Sequence, residues 1–395
     1  MNKSTILAFA IIIGLLLSAS YADEQTSINF GGLIQGGFIY HVGDETLVCT
    51  QNTESPICKV GVISSDYEFT LDRAYLAAFG HVVSERIGYF ARFGRSESEE
   101  GILDVKMSFR PASYITINLG RFTPHITLFS ARDPKELPFT SRPLMDELPY
   151  CKEDIPCCPF AGYGYAPLLH TLRNLGLEAH ADWGYGEVYM GAFNGFDTDG
   201  WEDNNTAKDF YFAFNAIPIK GLNIKLSTIY AQPLEVAKTA DHSEKDAIVW
   251  ALIPGIEWDS NFGLILASEY AYREYQPSVS GEGIPDLVSS MFVYGLLGFG
   301  FDMFEFPLTL LAQVDYFDPN TDNASGHAGR KDELWRIAGG LAYQIAGQSA
   351  VIRADYYHYI ESWQNIYGPH QDATDTPNRK DIENDSLVFQ LQLAF

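Results

Sequence analysis

The chain has 395 residues, 46% hydrophobic and 14% aromatic, and its 51 acidic side chains outnumber 26 basic ones for a formal net charge of −25. The aromatic content excludes intrinsic disorder, which combines high charge with few aromatics, and the acidic excess excludes nucleic acid, whose binders need basic surfaces. Beyond residue 22 no apolar run approaches the ~18 residues of a membrane-crossing helix, so a helical membrane protein is excluded too.

The first element is an address. Lys3, an apolar run from Ile6 to Leu17, and small residues Ser20 and Ala22 around Tyr21 form the three regions of a secretory signal peptide. Cleavage after Ala22 leaves a domain of residues 23–395. The alternative, an uncleaved anchor, has too short an apolar core. Export also sets an oxidising compartment for the five cysteines.

From Ile28 onward the chain alternates with period 2, one parity apolar and the other polar or small, as in strands with one greasy and one wet face. The first half predicts strands near 28–41, 67–82, 85–95, 101–110, 113–122 and 169–180. The second half adds 185–194, 208–217, 221–231, 246–258, 261–273, 288–300, 307–317, 333–345, 348–359 and 385–395, sixteen in all. In the segment Leu103, Val105, Met107, Phe109 the four apolar residues are assigned to one outward face.

Short turns, such as Pro111-Ala112, Asp259-Ser260 and Ala346-Gly347, alternate with long acidic loops. This segregation predicts an all-β transmembrane antiparallel β-barrel, with short periplasmic turns and long external loops. Outward positions such as Phe30, Ile34, Phe93, Leu266 and Ile352 are apolar. Charges of both signs, including Arg92, Lys106, Glu178, Lys225, Glu257, Glu269, Arg336, Arg353 and Asp355, share the other parity. Charges facing lipid are costly, so this parity is expected to line a wet lumen.

From about Asp66 the chain resembles the Gram-negative phosphate-selective porin O and P family. The resemblance rests on Leu71-Asp72-Arg73-Ala74-Tyr75-Leu76, Leu119-Gly120-Arg121-Phe122-Thr123-Pro124, Ser130-Ala131-Arg132-Asp133 and Leu137-Pro138-Phe139. Arg173-Asn174-Leu175-Gly176-Leu177, Gly191-Ala192-Phe193-Asn194-Gly195 and Val314-Asp315-Tyr316-Phe317-Asp318-Pro319 continue it, and Phe395 matches the aromatic that ends such barrels. The resemblance implies a sixteen-stranded outer-membrane channel assembled as a homotrimer. The family's phosphate selectivity rests on lumenal Arg and Lys ladders. No such ladder is evident here, so weak cation preference or none is expected.

By the same resemblance the long loop of about residues 123–168 folds into the lumen as a constriction. Its Arg132, Asp133, Glu136, Asp146 and Glu147 are then expected to face Arg92, Lys106, Arg110, Arg173 and Arg353 across a transverse field. The alternative is a solvated external loop. Oxidising surroundings favour disulfides between Cys49 and Cys58 and between Cys151 and either Cys157 or Cys158. A metal site would instead need His170 as fourth ligand and is not favoured.

Neither a G-x-S-x-G elbow nor a haem-attachment motif is present, so no catalytic residue, cofactor or metal is assigned. The function read from the sequence is passive diffusion of small hydrophilic solutes or ions through a barrel held in outer-membrane lipids. The competing reading, from a different class, is a barrel sheath around a multihaem cytochrome in a trans-outer-membrane electron conduit.

Overall fold

The structure, a computed structural model, describes residues 26–42, 45–50, 57–62, 67–83, 85–96, 100–147, 173–195, 207–232, 234–236, 244–246, 248–260, 262–276, 287–301, 305–318, 321, 333–361 and 385–395. The signal segment, Cys151, Cys157, Cys158 and His170 lie outside them.

In chain order the strands begin with β1 (Ser27–His41), β2 (Glu45–Thr50), β3 (Ile57–Val62), β4 (Tyr67–Val83), β5 (Ile87–Arg95), β6 (Glu100–Ala112) and β7 (Ile115–Phe122). There follow β8 (Asn174–Asp182), β9 (Gly186–Phe193), β10 (Asp209–Ile219), β11 (Leu222–Ala231), β12 (Leu234–Val236) and β13 (Glu244–Asp246). The remainder are β14 (Ile248–Asp259), β15 (Leu264–Gln276), β16 (Val288–Gly300), β17 (Leu308–Asp318), β18 (Leu334–Gln344), β19 (Ala350–Glu361) and β20 (Ser386–Ala394).

Among the described residues, sixteen strands close a barrel in the order β1-β20-β19-β18-β17-β16-β15-β14-β11-β10-β9-β8-β7-β6-β5-β4. Every neighbouring pair is antiparallel, and β1 closes on β20 with Gln35 opposite Gln392 and Phe38 opposite Phe389. Closure leaves no strand edge unpaired, as a barrel in hydrocarbon requires. The sixteen barrel strands match the sixteen expected from alternation to within three residues, except that the expected 169–180 begins five residues before β8, with 169–172 outside the described residues.

The other four strands form two hairpins, β2–β3 and β12–β13, in segments the sequence reading treated as plain loops. Short turns at the opposite rim use glycine where φ is positive: Gly221 has φ 83° and Gly263 has φ 87°. A side chain at either position would meet a backbone carbonyl as well as strain.

Exposure follows parity. Phe30, Ile34, Leu266, Ile352 and Tyr356 are exposed on the outer surface, while Glu178, Arg336 and Asp355 are fully buried within. Among the described residues five register shifts interrupt the pairing, three beside short turns and two farther into the strands. Arg92 pairs with Asp104 and Phe93 with Ile102, so Leu103 is the extra residue between them. Leu103 therefore does not share the outward face of Met107 and Phe109; it is buried against Leu33 and Tyr75. Likewise Gln35 pairs with Arg73 and Gly36 with Leu71, leaving Asp72 as the extra residue.

The interior is not uniformly wet. Phe292, Tyr294, Leu296, Leu311, Phe317 and Ala338 point inward and pack against Ile126, Phe129, Leu137, Phe139 and Leu144 of the β7–β8 loop. Loop and wall form one apolar core inside the barrel.

Candidate constriction and lumen

The β7–β8 loop enters the lumen because its own residues tie it into a compact turn. Ser130 Oγ accepts from the amides of Ile126 and Thr127, each at 3.1 Å, and donates to the Pro124 carbonyl at 2.9 Å. Thr127 Oγ1 accepts from Ser130 N at 2.8 Å and donates to Asp146 Oδ1 at 2.8 Å, joining the loop's two described arms. A 3-10 turn at Pro134–Glu136 follows, capped by Asp133, whose carboxylate accepts from Lys135 N at 3.1 Å. Residues Leu144–Glu147 make one helical turn.

Five inward carboxylates hold this loop to the wall. Glu178 on β8 meets His125 Nδ1 at 2.9 Å and also accepts from Tyr211. Glu269 on β15 accepts from Leu128 N at 2.9 Å. On β14, Glu257 takes both guanidinium arms of Arg132, at 2.9 and 2.7 Å. Asp315 on β17 accepts from Leu144 N at 3.1 Å and pairs with Arg336 at 3.0 Å. On β19, Asp355 accepts from Thr140 N at 2.7 Å, and Tyr357 OH lies 2.9 Å from Thr140 Oγ1. Cations complete the set: Lys225 Nζ donates to Thr127 O at 2.6 Å, and Arg353 donates to Leu137 O at 3.1 Å. Backbone amides that would be buried without partners are thereby satisfied, which offsets the desolvation of drawing a loop into the barrel.

The residues expected at the constriction divide into groups. Arg92 lies 3.4 Å from Asp104 and 3.2 Å from Asp133. Arg173 joins the same cluster, its Nε 3.0 Å from Asp104. Lys106, inward on β6, sits over the Phe122 ring at 5.6 Å. Arg353 is buried on the far wall beneath the loop, and Arg110 is exposed at the short-turn end of β6. Glu136 is exposed on the 3-10 turn, and Glu147 ends the helical turn.

Asp146 is held back from ionising by burial, which pushes its pKa up to about 6 against the pull of Arg142, Thr127 and Lys225. Burial works against the charge of Arg132, but the hydrogen bonds and charge of Glu257 outweigh it, raising its pKa.

Sequence reasoning placed Glu178, Glu257, Glu269 and Asp355 on the inward parity without seeing that they clamp the loop. It missed Asp315, Tyr75 and Tyr357. The available signal was a carboxylate at an inward position of an otherwise apolar strand, as Asp315 is in β17.

No protein-family model matches the chain, and no curated protein matches it. Solved structures do. The outer-membrane channel DcaP of Acinetobacter baumannii superposes with TM-score 0.59 at 10% identity, over 95% of this chain and 99% of that one. An anion-selective porin from Comamonas acidovorans gives 0.58 at 10% identity, over 94% of this chain and 100% of that one. Salmonella typhi OmpF, in complex with daunomycin, gives 0.56 at 12% identity, over 94% of this chain and 98% of that one. Together with the closed ring of strands, these likenesses show that the chain has the sixteen-stranded antiparallel fold of outer-membrane porins.

Proposed function

We propose that the protein is an outer-membrane porin for passive diffusion of small hydrophilic solutes or ions, its constriction formed by the β7–β8 loop. The observation that carries this reading is the loop itself. It is drawn into the lumen and bonded to walls all round it, as a channel requires if its width is to be set by protein rather than by barrel diameter.

Several lumenal charges stand in opposite-sign pairs: Arg92 with Asp104 and Asp133, Arg132 with Glu257, and Arg336 with Asp315. Paired charges and an acidic chain favour weak cation preference or none over strong phosphate selectivity, whatever the resemblance to the porin O and P family. The reading includes export by residues 1–22, a barrel domain of residues 23–395 in outer-membrane lipids, and a homotrimer. OmpT of Vibrio cholerae, solved in a trimer form, shares the fold at TM-score 0.52 and 9% identity, over 94% of this chain and 100% of that one.

A lumen occupied by the chain's own loop argues against the sheath around a cytochrome, and no assignment of catalysis is made. Purified protein in a planar bilayer under a salt gradient tests the proposal. Discrete channels with a reversal potential near zero or slightly cation-directed are expected. Absence of conductance, or strong anion selectivity, overturns it.

A further inference from the structure

The bridge of the β7–β8 loop divides the lumen into two crescents that differ in how far their inward side chains meet solvent. Arg132 binds Glu257 on β14, and Asp133 binds Arg92 on β5 and Tyr75 on β4. In the ring, β6 to β11 lie on one side of that bridge, and β15 to β20 with β1 lie on the other.

On the β15–β20 side the inward side chains are sealed. Phe292, Tyr294, Phe317, Ala338 and Tyr357 are each at most 3% exposed, and the loop's Phe129 and Phe139 pack among them. On the β6–β11 side Phe193, Tyr211, Ala213 and Ile229 are buried in the same core towards the long loops, but towards the short turns several inward positions are polar and keep contact with solvent. Lys106, Ser108, His180 and Glu187 are half-buried, and the His125 side chain is 32% exposed. His125 and His180 each stack on the Tyr189 ring with 4.3 Å between centroids, forming a column of three rings down this wall. Asn215, 8% exposed on the same wall, has a buried Oδ1 without a hydrogen-bond partner, as does His180 at Nε2.

We propose that permeation is confined to the β6–β11 crescent, with Lys106 and His125 as its specificity-determining side chains at the level of the bridge, and that the β15–β20 crescent is closed. The inference rests on the porin reading and deepens it. A hydrophilic solute crossing the β6–β11 crescent exchanges hydration for hydrogen bonds from the column, whereas polar side chains of the other crescent, such as Asp315, Arg336 and Asp355, are buried and engaged by the loop and one another. Lys106 carries its ammonium 5.6 Å over the Phe122 ring, with Glu178 and Asp104 near enough to act on it electrostatically, so its charge is balanced at a distance and remains able to meet a passing solute.

Cysteine substitutions with charged methanethiosulfonate reagents of both signs test this in planar bilayers. Each variant is first checked for heat-resistant folding on a gel, and the unsubstituted protein under reagent sets the baseline. Lys106→Cys is expected to lose roughly twofold or more of its current on modification, with the anionic and cationic reagents shifting the reversal potential in opposite directions. Ala338→Cys, in the sealed crescent, is expected to keep its current. Modification that blocks Ala338→Cys, or leaves folded Lys106→Cys unchanged, overturns the inference. Absence of current before any reagent in the unsubstituted protein instead overturns the porin reading.

Discussion

Arg132 and Asp133, neighbours in the chain, hold opposite walls of the barrel. Arg132 forks onto Glu257 of β14 at 2.9 and 2.7 Å, while Asp133 takes Arg92 of β5 at 3.2 Å and Tyr75 of β4 at 3.0 Å. The peptide between them is a strut across the lumen, and each end is charge-assisted.

Cutting one end should loosen the strut without unmaking the ring. Glu257→Gln leaves a half-buried guanidinium short of its partner, weakening loop docking by about 1.5–3 kcal/mol. Single-channel conductance should become larger or noisier while heat-resistant folded protein is retained. An unchanged current trace in folded variant would show that the pair does not hold the loop.

Loop docking should also depend on pH through Asp146. Its pKa in the docked loop is raised to about 6 by burial, against about 3.9 in an undocked chain. A raised value means that docking is favoured fully below the undocked value and loses that contribution as pH rises through about 6. The effect is about 1–2 kcal/mol once partial solvent screening is allowed for. Proteolysis of the loop should therefore be slower at mildly acid than at neutral pH. Asp146→Asn should flatten that difference, and an equal pH dependence in the variant would assign it to other groups.

The β2–β3 hairpin sets Cys49 directly opposite Cys58 in its antiparallel register. Cα spacing across such a pair falls within the range a disulfide spans. A bond there closes about ten residues and contributes on the order of 2–3 kcal/mol to the hairpin in the chain-entropy model. Both thiols should resist alkylation in oxidised folded protein and react after reduction. Labelling of both before reduction would exclude the pairing.

Gly340 on β18 is the point where the wall gives way to the loop. A Cβ added there would lie 2.7 Å from Phe139 Cε1 and closer still to Asp355 Oδ1. Gly340→Val should drive Phe139 and the Thr140–Asp355 contact off the wall, at about 1–3 kcal/mol of overpacking. Increased conductance with intact barrel migration is the expected readout. A variant as quiet as the parent would show that the loop can shift without opening a path.

The barrel was legible because one face of each strand meets lipid. Phe30, Ile34, Leu391 and Leu393 must be apolar whatever fills the lumen, so a period of 2 survives in the sequence. The interior was less legible. β16, from Met291 to Phe299, is apolar on both parities because its outward face, with exposed Val293 and Leu297, is apolar for lipid while its inward face packs in the loop core. Its glycines Gly295 and Gly298 hid that signal. Leu103 was misread because a bulge adds one residue and turns the following parity over, a change that leaves no trace in composition. Clamping carboxylates such as Asp315 and Glu269 serve amides far away in the chain, and no local spacing reveals a contact of that range.

The apolar core shared by loop and wall has a thermal consequence. A barrel whose interior holds water exposes little new hydrocarbon to water when it unfolds into detergent, since its outer face passes from one apolar surrounding to another. Here Phe129, Phe139, Phe292, Phe317 and Leu296 leave a dry interior as well. Their hydration raises heat capacity by about 0.45 cal/K/mol for each Å² of apolar surface released. In a calorimeter this barrel should therefore melt with the heat-capacity step of a globular domain, and its stability should curve with temperature as a globular domain's does.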